Sequence, residues 1–390
     1  MIVKNDGIGD LIVASGVIAH IARLSPEPVD LLTCRENADI AKVIPGLRQV
    51  LICSRNALRL HQGATAGSNE EADRALLSAL ANNTYSKAIV LRRFITESTL
   101  ALMTAIKADE KYCMWQIPTN ISRKTAEEIS APWTRIGASI RIRSEIDYFA
   151  AVVERIFGKK IDGRPNLRLP GEGEDFTEDG SIVLALGGNS SRWPILNWVS
   201  TARHLQKRQH TPLHLFGGKK YELLTALAIS ATTPKSINHV GRMKLLDSLP
   251  YIRRASLVIA NDTGFAHLAA LVARRIMILQ GGGTFARFFP WPGAMNQYVL
   301  YRGMPCFDCD WRCRYDRPRE KRACLTHITA EDVVSYAGDI LAGTAPCIRN
   351  VGQKTGDYRL AWRYLPPPQE HISLSAETLA VERRGPFIPY

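Results

Sequence analysis

The sequence predicts an α/β protein made of two doubly wound domains, and three observations predict it. At 390 residues the chain is too long for one ordinary core. Short apolar runs alternate with segments of helical period in two separate series. The runs of the second series repeatedly stop at Gly or Asn-Asp, at the edge where open α/β sheets bind their ligands.

The first series opens with Ile2-Val3-Lys4, a very short apolar strand that runs into the turn Asn5-Asp6-Gly7-Ile8-Gly9-Asp10. Leu11, Ile12, Val17, Ile18, Ile21 and Leu24 follow near helical spacing, up to Ser25-Pro26. Strands are expected again at Val29–Thr33, Gln49–Cys53 and Ala88–Leu91, with helical or loop segments such as Glu70–Leu80 between them. An amphipathic helix from about Arg143 to Phe157 closes the series. Turn formers and charge crowd residues 158–180, which therefore read as a linker. The second series starts with the buried strand Ile182–Leu186 and continues with strands at Leu213–Phe216, Ile237–Val240, Leu257–Ala260 and Ile276–Leu279. Helices are expected from about Leu196, from Tyr221, around Leu245–Arg253 and after Gly264. Beyond Ala342 the chain turns irregular, with Pro366-Pro367-Pro368. The expected units are a first domain over 1–160, a linker over 161–180, a second domain over 181–345 and a tail over 346–390.

With 46% apolar and 22% charged residues, the composition is that of a soluble globular protein. No stretch of about 18 apolar residues would span a membrane, and the N-terminus lacks the pattern of a signal peptide. The expected location is the cytosol. A net charge of +13 calls for an anionic partner: nucleic acid, an anionic membrane surface or a phosphorylated substrate. A zinc-finger His pair, an aromatic ribonucleoprotein motif and a heptad repeat are all missing, which argues against nucleic acid. A phosphorylated donor and an acceptor at an anionic inner membrane account for the charge more simply. Cys34, Cys53, Cys113 and Cys347 are isolated and read as small buried thiols.

Four places carry possible chemistry. Asp10 stands at the carboxyl edge of the first strand, where it is either a catalytic base pointing into a crevice or the cap of the helix it opens. Gly7 and Gly9 let backbone and substrate come close. The run Gly187-Gly188-Asn189-Ser190-Ser191-Arg192-Trp193-Pro194 puts small residues, hydroxyls and a cation before a helix, which suits a phosphate cradle or an ordinary capped loop. Asn261-Asp262-Thr263-Gly264-Phe265-Ala266-His267 places Thr263 and Gly264 at a helix start whose dipole favours a diphosphate. His267 lies one turn further on, as a ligand contact or a structural histidine, and Gly281-Gly282-Gly283-Thr284 supplies another loop at the same edge. Cys306, Cys309, Cys313 and Cys324 could hold zinc or iron, or stay free in a reducing compartment.

With these residues in view, the chain resembles glycosyltransferase family 9, the family of the lipopolysaccharide heptosyltransferases, from Met1 to about Ala342. The most specific part is the run from Ser256 to Ala270, Ser-Leu-Val-Ile-Ala-Asn-Asp-Thr-Gly-Phe-Ala-His-Leu-Ala-Ala. The opening Lys4–Asp10, Trp193-Pro194, Phe216-Gly217-Gly218 and the late cysteine cluster also fit. The resemblance implies a GT-B architecture, two Rossmann-like domains facing a central cleft, and inverting transfer that requires no metal cofactor. It makes Asp10 the general base, and Gly188, Ser190, Ser191, Arg192, Asp262, Thr263, Gly264 and His267 contacts of a nucleotide-diphosphate sugar. The partners it implies are that donor and a glycan or glycolipid acceptor such as lipopolysaccharide. Where the family often has a lysine two residues before Trp-Pro, this chain has Ser191, followed by Arg192. Rival readings are a protein-modifying glycosyltransferase, a nucleotide-sugar epimerase of the same fold, and a degenerate nucleotide-sugar-binding protein. Arg92, Arg93, Arg123 and Lys124 read as solvated surface more readily than as contacts for acceptor phosphates.

Overall fold

The computed structural model describes residues 1–54, 70–114, 123–136, 142–188, 192–209, 211–218, 221–311, 313 and 322–351. The first half runs β1 (Ile2–Lys4), α1 (Ile8–Leu24), β2 (Val29–Cys34), α2 (Ala38–Ala41), β3 (Leu47–Cys53), α3 (Glu70–Asn82), β4 (Thr84–Val90), α4 (Glu97–Ala105), β5 (Lys107–Cys113), α5 (Arg123–Ser130), β6 (Thr134–Arg135) and α6 (Glu145–Phe157). The second runs β7 (Ile182–Ala185), α7 (Ile195–Gln209), β8 (Leu213–Phe216), α8 (Tyr221–Ser230), β9 (Ser236–Asn238), α9 (Leu249–Arg254), β10 (Leu257–Asn261), α10 (Gly264–Val272), β11 (Ile276–Gln280), β12 (Gln297–Tyr301), α11 (Ala323–Thr326), α12 (Ala330–Ala342) and β13 (Ile348–Asn350). The first sheet has the order β3-β2-β1-β4-β5-β6 and the second β13-β12-β11-β10-β7-β8-β9, with every pairing parallel. In each sheet the order reverses beside its first strand, at β1/β4 and at β7/β10. Ligand crevices of open α/β sheets lie outside the carboxyl ends of the strands at such a reversal. The expected pair of Rossmann-like sheets is therefore present, and each has one crevice position.

Burial explains the strand sequences. β7, β10 and β11 are buried along their whole length, so Ile-Val-Leu-Ala, Leu-Val-Ile-Ala-Asn and Ile-Met-Ile-Leu-Gln read as continuous apolar runs rather than alternating ones. Helix α1 is buried on nearly every side, from Leu11 to Ala19 without a break. It lies between the first sheet, α6 and α10, and one apolar cluster runs from Leu11 and Val17 through Phe149 to Leu268 and Phe289. The two halves of the molecule thus share a core. The linker is laid along α1. Asn166 N–H donates to Ser15 Oγ at 2.9 Å, and a Cβ on Gly16 would fall 1.9 Å from the carbonyl oxygen of Arg164.

Several expectations need correction. The helix expected from Arg143 begins at Glu145, capped by Ser144, whose Oγ accepts from Asp147 N–H, and it ends at Gly158 in the left-handed region. Cys34, Cys53 and Cys113 are buried, but Cys347 is exposed. The last strand of the second sheet, β13, falls inside what the sequence reads as a tail. Residues 352–390 lie outside the described residues.

One buried pair gives the second sheet a pH dependence. His214 on β8 and His239 beyond β9, each 8% exposed, share a hydrogen bond of 3.0 Å between Nδ1 and Nε2. His239 is flanked by the rings of Phe216 and Tyr251. Burial holds both imidazoles below the ordinary histidine value of 6.5; Asp179 opposes this at His214, while His214 and Arg242 add to it at His239. A group whose folded-state value is depressed favours folding fully only above its unfolded value, about 6.5. Thermal melts should therefore lose stability as the pH falls from 7.5 to 5.5. The double substitution His214→Leu/His239→Phe should flatten that slope. An equal slope in the variant would assign the dependence to other groups.

Candidate functional site

The loop after β1 is pinned from both neighbouring strands. Lys4 O accepts from Thr33 Oγ1 at 2.6 Å and Asp6 O from Asn37 Nδ2 at 3.0 Å. Asn5, fully buried, receives Arg92 Nη1 on its carbonyl at 2.7 Å and on Oδ1 at 3.1 Å. Arg92 and Arg93 are therefore not the solvated surface that the sequence suggests. Lys124 is exposed as expected, and the side chain of Arg123 is outside the described set. Lys4 is itself buried, with Nζ 2.7 Å from Asp6 Oδ2 and 4.6 Å from the centre of the Phe149 ring. Burial pushes the Asp6 carboxyl up and the charge of Asp10 adds to it, while Lys4 opposes both.

Asp10, half-buried in the first turn of α1, accepts the N–H of Gly7 on Oδ2 at 3.2 Å. A Cβ on Gly7 would lie 2.8 Å from that oxygen, so the close turn needs glycine. The capping role foreseen for Asp10 is real and engages one carboxylate oxygen.

In the second sheet, Asn261 Nδ2 donates to Gly187 O at 2.7 Å and ties the ends of β7 and β10 together at the reversal. Helix α10 starts at Gly264 with Thr263 extended before it and no side chain capping its first N–H groups. Thr263 Oγ1, Asn261 Oδ1 and His267 Nδ1 are buried with no hydrogen-bond partner among the described residues. Such atoms cost about 1–3 kcal/mol each unless something bonds to them. Uncapped N–H groups at a helix start, beside the Thr263 hydroxyl as a further donor, suit an anion, whereas the Asn261 oxygen can only accept, as from a ligand hydroxyl. Asp262 Oδ1 lies 3.6 Å from His267 Nε2, and the imidazole stacks on Phe289 at 4.3 Å.

The two loops meet. A Cβ on Gly9 would fall 2.5 Å from His267 Cδ2, and one on Gly264 would fall 3.0 Å from Ile8. Glycine on each side lets the starts of α1 and α10 touch, and brings Asp10 to the same end of the cleft as Thr263, Gly264 and His267. Gly188 and Arg192 stand at the mouth of β7. Arg192 Nε donates to Gly188 O at 2.8 Å, and its guanidinium lies 4.9 Å from the Tyr221 ring. Ser190 and Ser191 lie outside the described residues. Trp193, at the end of the same run, is buried in the core, with Nε1 donating to Ile328 O at 2.9 Å.

The Gly281–Gly283 loop is covered. Cβ atoms there would meet Phe307 at 2.3 Å and Trp311 at 2.3 Å, so two aromatic rings fill the space that the sequence offers to a ligand. Cys306, Cys309 and Cys313 are half-buried, and Cys324 is buried with Gly282 N–H donating to its Sγ at 3.4 Å. Burial, together with Cys306 and Cys309, pushes the Cys324 thiol up against that hydrogen bond. Among the described residues, no three His, Cys, Asp or Glu side chains form a group that could hold a metal ion. As placed, the four thiols do not fit zinc or iron.

Sequence reasoning missed a buried ion network beside the cleft. Glu145, at the start of α6, accepts Arg287 Nε at 2.9 Å and Nη2 at 3.2 Å, and lies 3.3 Å from Arg93 Nε. Its N–H also donates to Arg287 O at 2.9 Å. Burial alone would push Glu145 up; Arg287 and Arg93 outweigh it and hold the carboxyl below the usual range. Next to it Arg143 donates to Phe285 O at 2.7 Å and pairs with Asp308 at 2.7 Å. Residues so far apart in the chain leave no local pattern.

Comparisons place this geometry. Residues 178–313 match glycosyltransferase family 9 (heptosyltransferase). Among solved structures, the Escherichia coli heptosyltransferase WaaC with ADP-2-deoxy-2-fluoro heptose aligns with a TM-score of 0.60 at 17% identity, over 87% of this chain and 98% of its own. E. coli ADP-heptose lps heptosyltransferase II gives 0.61 at 15%, over 88% and 98%. The glycosyl transferase family 9 protein of Veillonella parvula gives 0.64 at 15%, over 88% and 96%. A comparison with curated proteins finds no match. Residues 178–313, which carry β7 to β12 and the whole of α10, thus match the glycosyltransferase family 9 model, within a two-sheet GT-B fold shared with the solved heptosyltransferases.

Proposed function

We propose that the protein transfers a sugar, heptose or a hexose-like relative, from a nucleotide-diphosphate donor to a cell-surface glycan or glycolipid such as lipopolysaccharide, with inversion. The observation that supports this is the meeting of Gly9 and Gly264, which brings the start of α1, where Asp10 stands, against the uncapped start of α10. The donor diphosphate lies at Thr263 and Gly264, with Gly188, Asp262 and His267 around it; Ser190 and Ser191, outside the described residues, remain candidates from the sequence. Asp10 takes the proton of the acceptor hydroxyl as its oxygen bonds to the anomeric carbon. The bond from that carbon to the phosphate oxygen breaks on the opposite face, and the nucleoside diphosphate leaves with the electron pair. Its charge is met by the helix start and by Arg192, so the mechanism assigns no role to a metal. Asn5, Arg92 and Thr33 hold the Asp10 turn in place before substrate arrives, and this preorganisation spares reorganisation in the transition state.

WaaC was solved with an ADP-heptose analogue, so ADP-heptose heads the panel of donors to test. Thermal denaturation with ADP-, GDP-, UDP-, CDP- and dTDP-sugars should give a rise of several degrees with one nucleotide class, because ligand binding at 100 times Kd adds about 2.7 kcal/mol. The rise should shrink in Arg192→Ala and in His267→Ala. No rise with any of them would remove the donor site from this cleft.

A further inference from the structure

Between Asp179 and Asp247 the chain carries nine lysines and arginines against a single acid, Glu222. About a sixth of the sequence thus holds a net +8 of the total +13. This stretch is one edge of the second sheet, running from β7 through α7, β8 and α8 to the edge strand β9. The same stretch is unusually greasy outside. Of the seven large hydrophobic side chains exposed among the described residues, six lie in it and only Met295 does not.

Helices α7 and α8 pack side by side on one face of the sheet, and the parallel strands make them run in the same direction. Leu196 in the first turn of α7 is 79% exposed, and Leu224 and Leu227 on α8 are 62% and 53% exposed, with Leu223 beside them. Towards the other ends of the helices, Arg203, His204 and Lys207 on α7 and Lys235 before β9 line a groove of about 550 Å³. Exposed leucines and cations on two neighbouring helices that carry a single acid between them are the features of a surface that lies on charged lipid.

We propose that the α7–α8 face is a docking surface for an anionic phospholipid bilayer, with the leucines in the acyl boundary and Arg203, Lys207 and Lys235 at the headgroup phosphates. A second copy of this chain is the wrong occupant, since a face this basic repels its own kind. Nucleic acid matches the charge, but its stacking surfaces are aromatic, and this patch is aliphatic. Leu196, Leu223 and Leu224 sit in the first turns of their helices, the same end of the sheet as the crevice, so a docked protein keeps its cleft near the lipid surface. The docking does not depend on the transferase reading.

The test is co-sedimentation of the full chain with large unilamellar vesicles of phosphatidylcholine alone or with 30% phosphatidylglycerol, at low and at physiological salt. The protein should pellet with the anionic vesicles only, and less at the higher salt. Leu224→Asp/Leu227→Asp and Lys207→Glu/Lys235→Glu should each weaken binding at least tenfold with melting temperatures unchanged. Lys159→Glu/Lys160→Glu, an equal charge change in the linker, should bind nearly as the wild type does. Equal binding to both vesicle types, or variants that bind like the wild type, would overturn the proposal. So would self-association that only the leucine variant abolishes, or binding to an RNA or DNA oligonucleotide without binding to vesicles.

Discussion

Asp10→Asn is expected to lower sugar transfer by about 10²–10⁴-fold, the range that a positioned general base supplies. The substitution separates the two tasks of this side chain. An asparagine Oδ1 still accepts the N–H of Gly7, which the carboxylate now holds at 3.2 Å, so the helix start and the loop remain in place. What disappears is the capacity to take a proton. The donor-induced rise in melting temperature should therefore match the wild type, since the uncapped start of α10 is untouched. Asp10→Ala also loses the cap, about 1 kcal/mol, and should be less active still and slightly less stable. Wild-type turnover in Asp10→Asn would leave Asp10 a cap and nothing more, and the base would have to be sought elsewhere in the cleft.

The parts of the fold legible in the sequence are those where burial is complete. β7, β10 and β11 are covered on both faces, so their residues are apolar without interruption and their ends show as Gly or Asn-Asp. β5 gives no such signal. Lys-Ala-Asp-Glu-Lys-Tyr-Cys sits one strand from the edge of the first sheet, with most of its side chains outside the core, and its pairing with β4 and β6 rather than its own pattern makes it a strand. The site divides the same way. Thr263, Gly264 and His267 follow a buried strand and open a helix within four residues, a local pattern. The sequence assigns Trp193 no role, because nothing in a small-residue loop before a helix shows that its aromatic ring anchors the core on Ile328. The aromatic cover over Gly281–Gly283 comes from residues about 25 positions further on, which no window around the glycines contains.

The ion network that the sequence conceals should yield the largest stability effect in the molecule. Glu145 is 1% exposed, and Arg93 and Arg287 are 11% and 13% exposed, so little water screens their interaction. Truncation in Glu145→Ala leaves two guanidiniums buried and facing each other without their anion. Breaking a buried pair in this way costs about 3–5 kcal/mol, a fall in melting temperature of roughly 10 °C for domains of this size. Because Arg287 belongs to the second half and Glu145 to the first, the loss should also loosen the contact between the two sheets. Arg143→Ala removes a pair whose Asp308 is 47% exposed, and should cost less than about 1 kcal/mol. The pH dependence gives an independent check. The Glu145 carboxyl titrates below its unfolded value of 4.5, so its contribution is complete above that pH and lost as the pH falls through the folded value. Glu145→Gln should remove this acid limb of the stability curve while keeping side-chain volume. A variant that melts with the wild type at neutral pH would show that the three charges are solvated in solution and that the halves are held together by the apolar cluster around α1 alone.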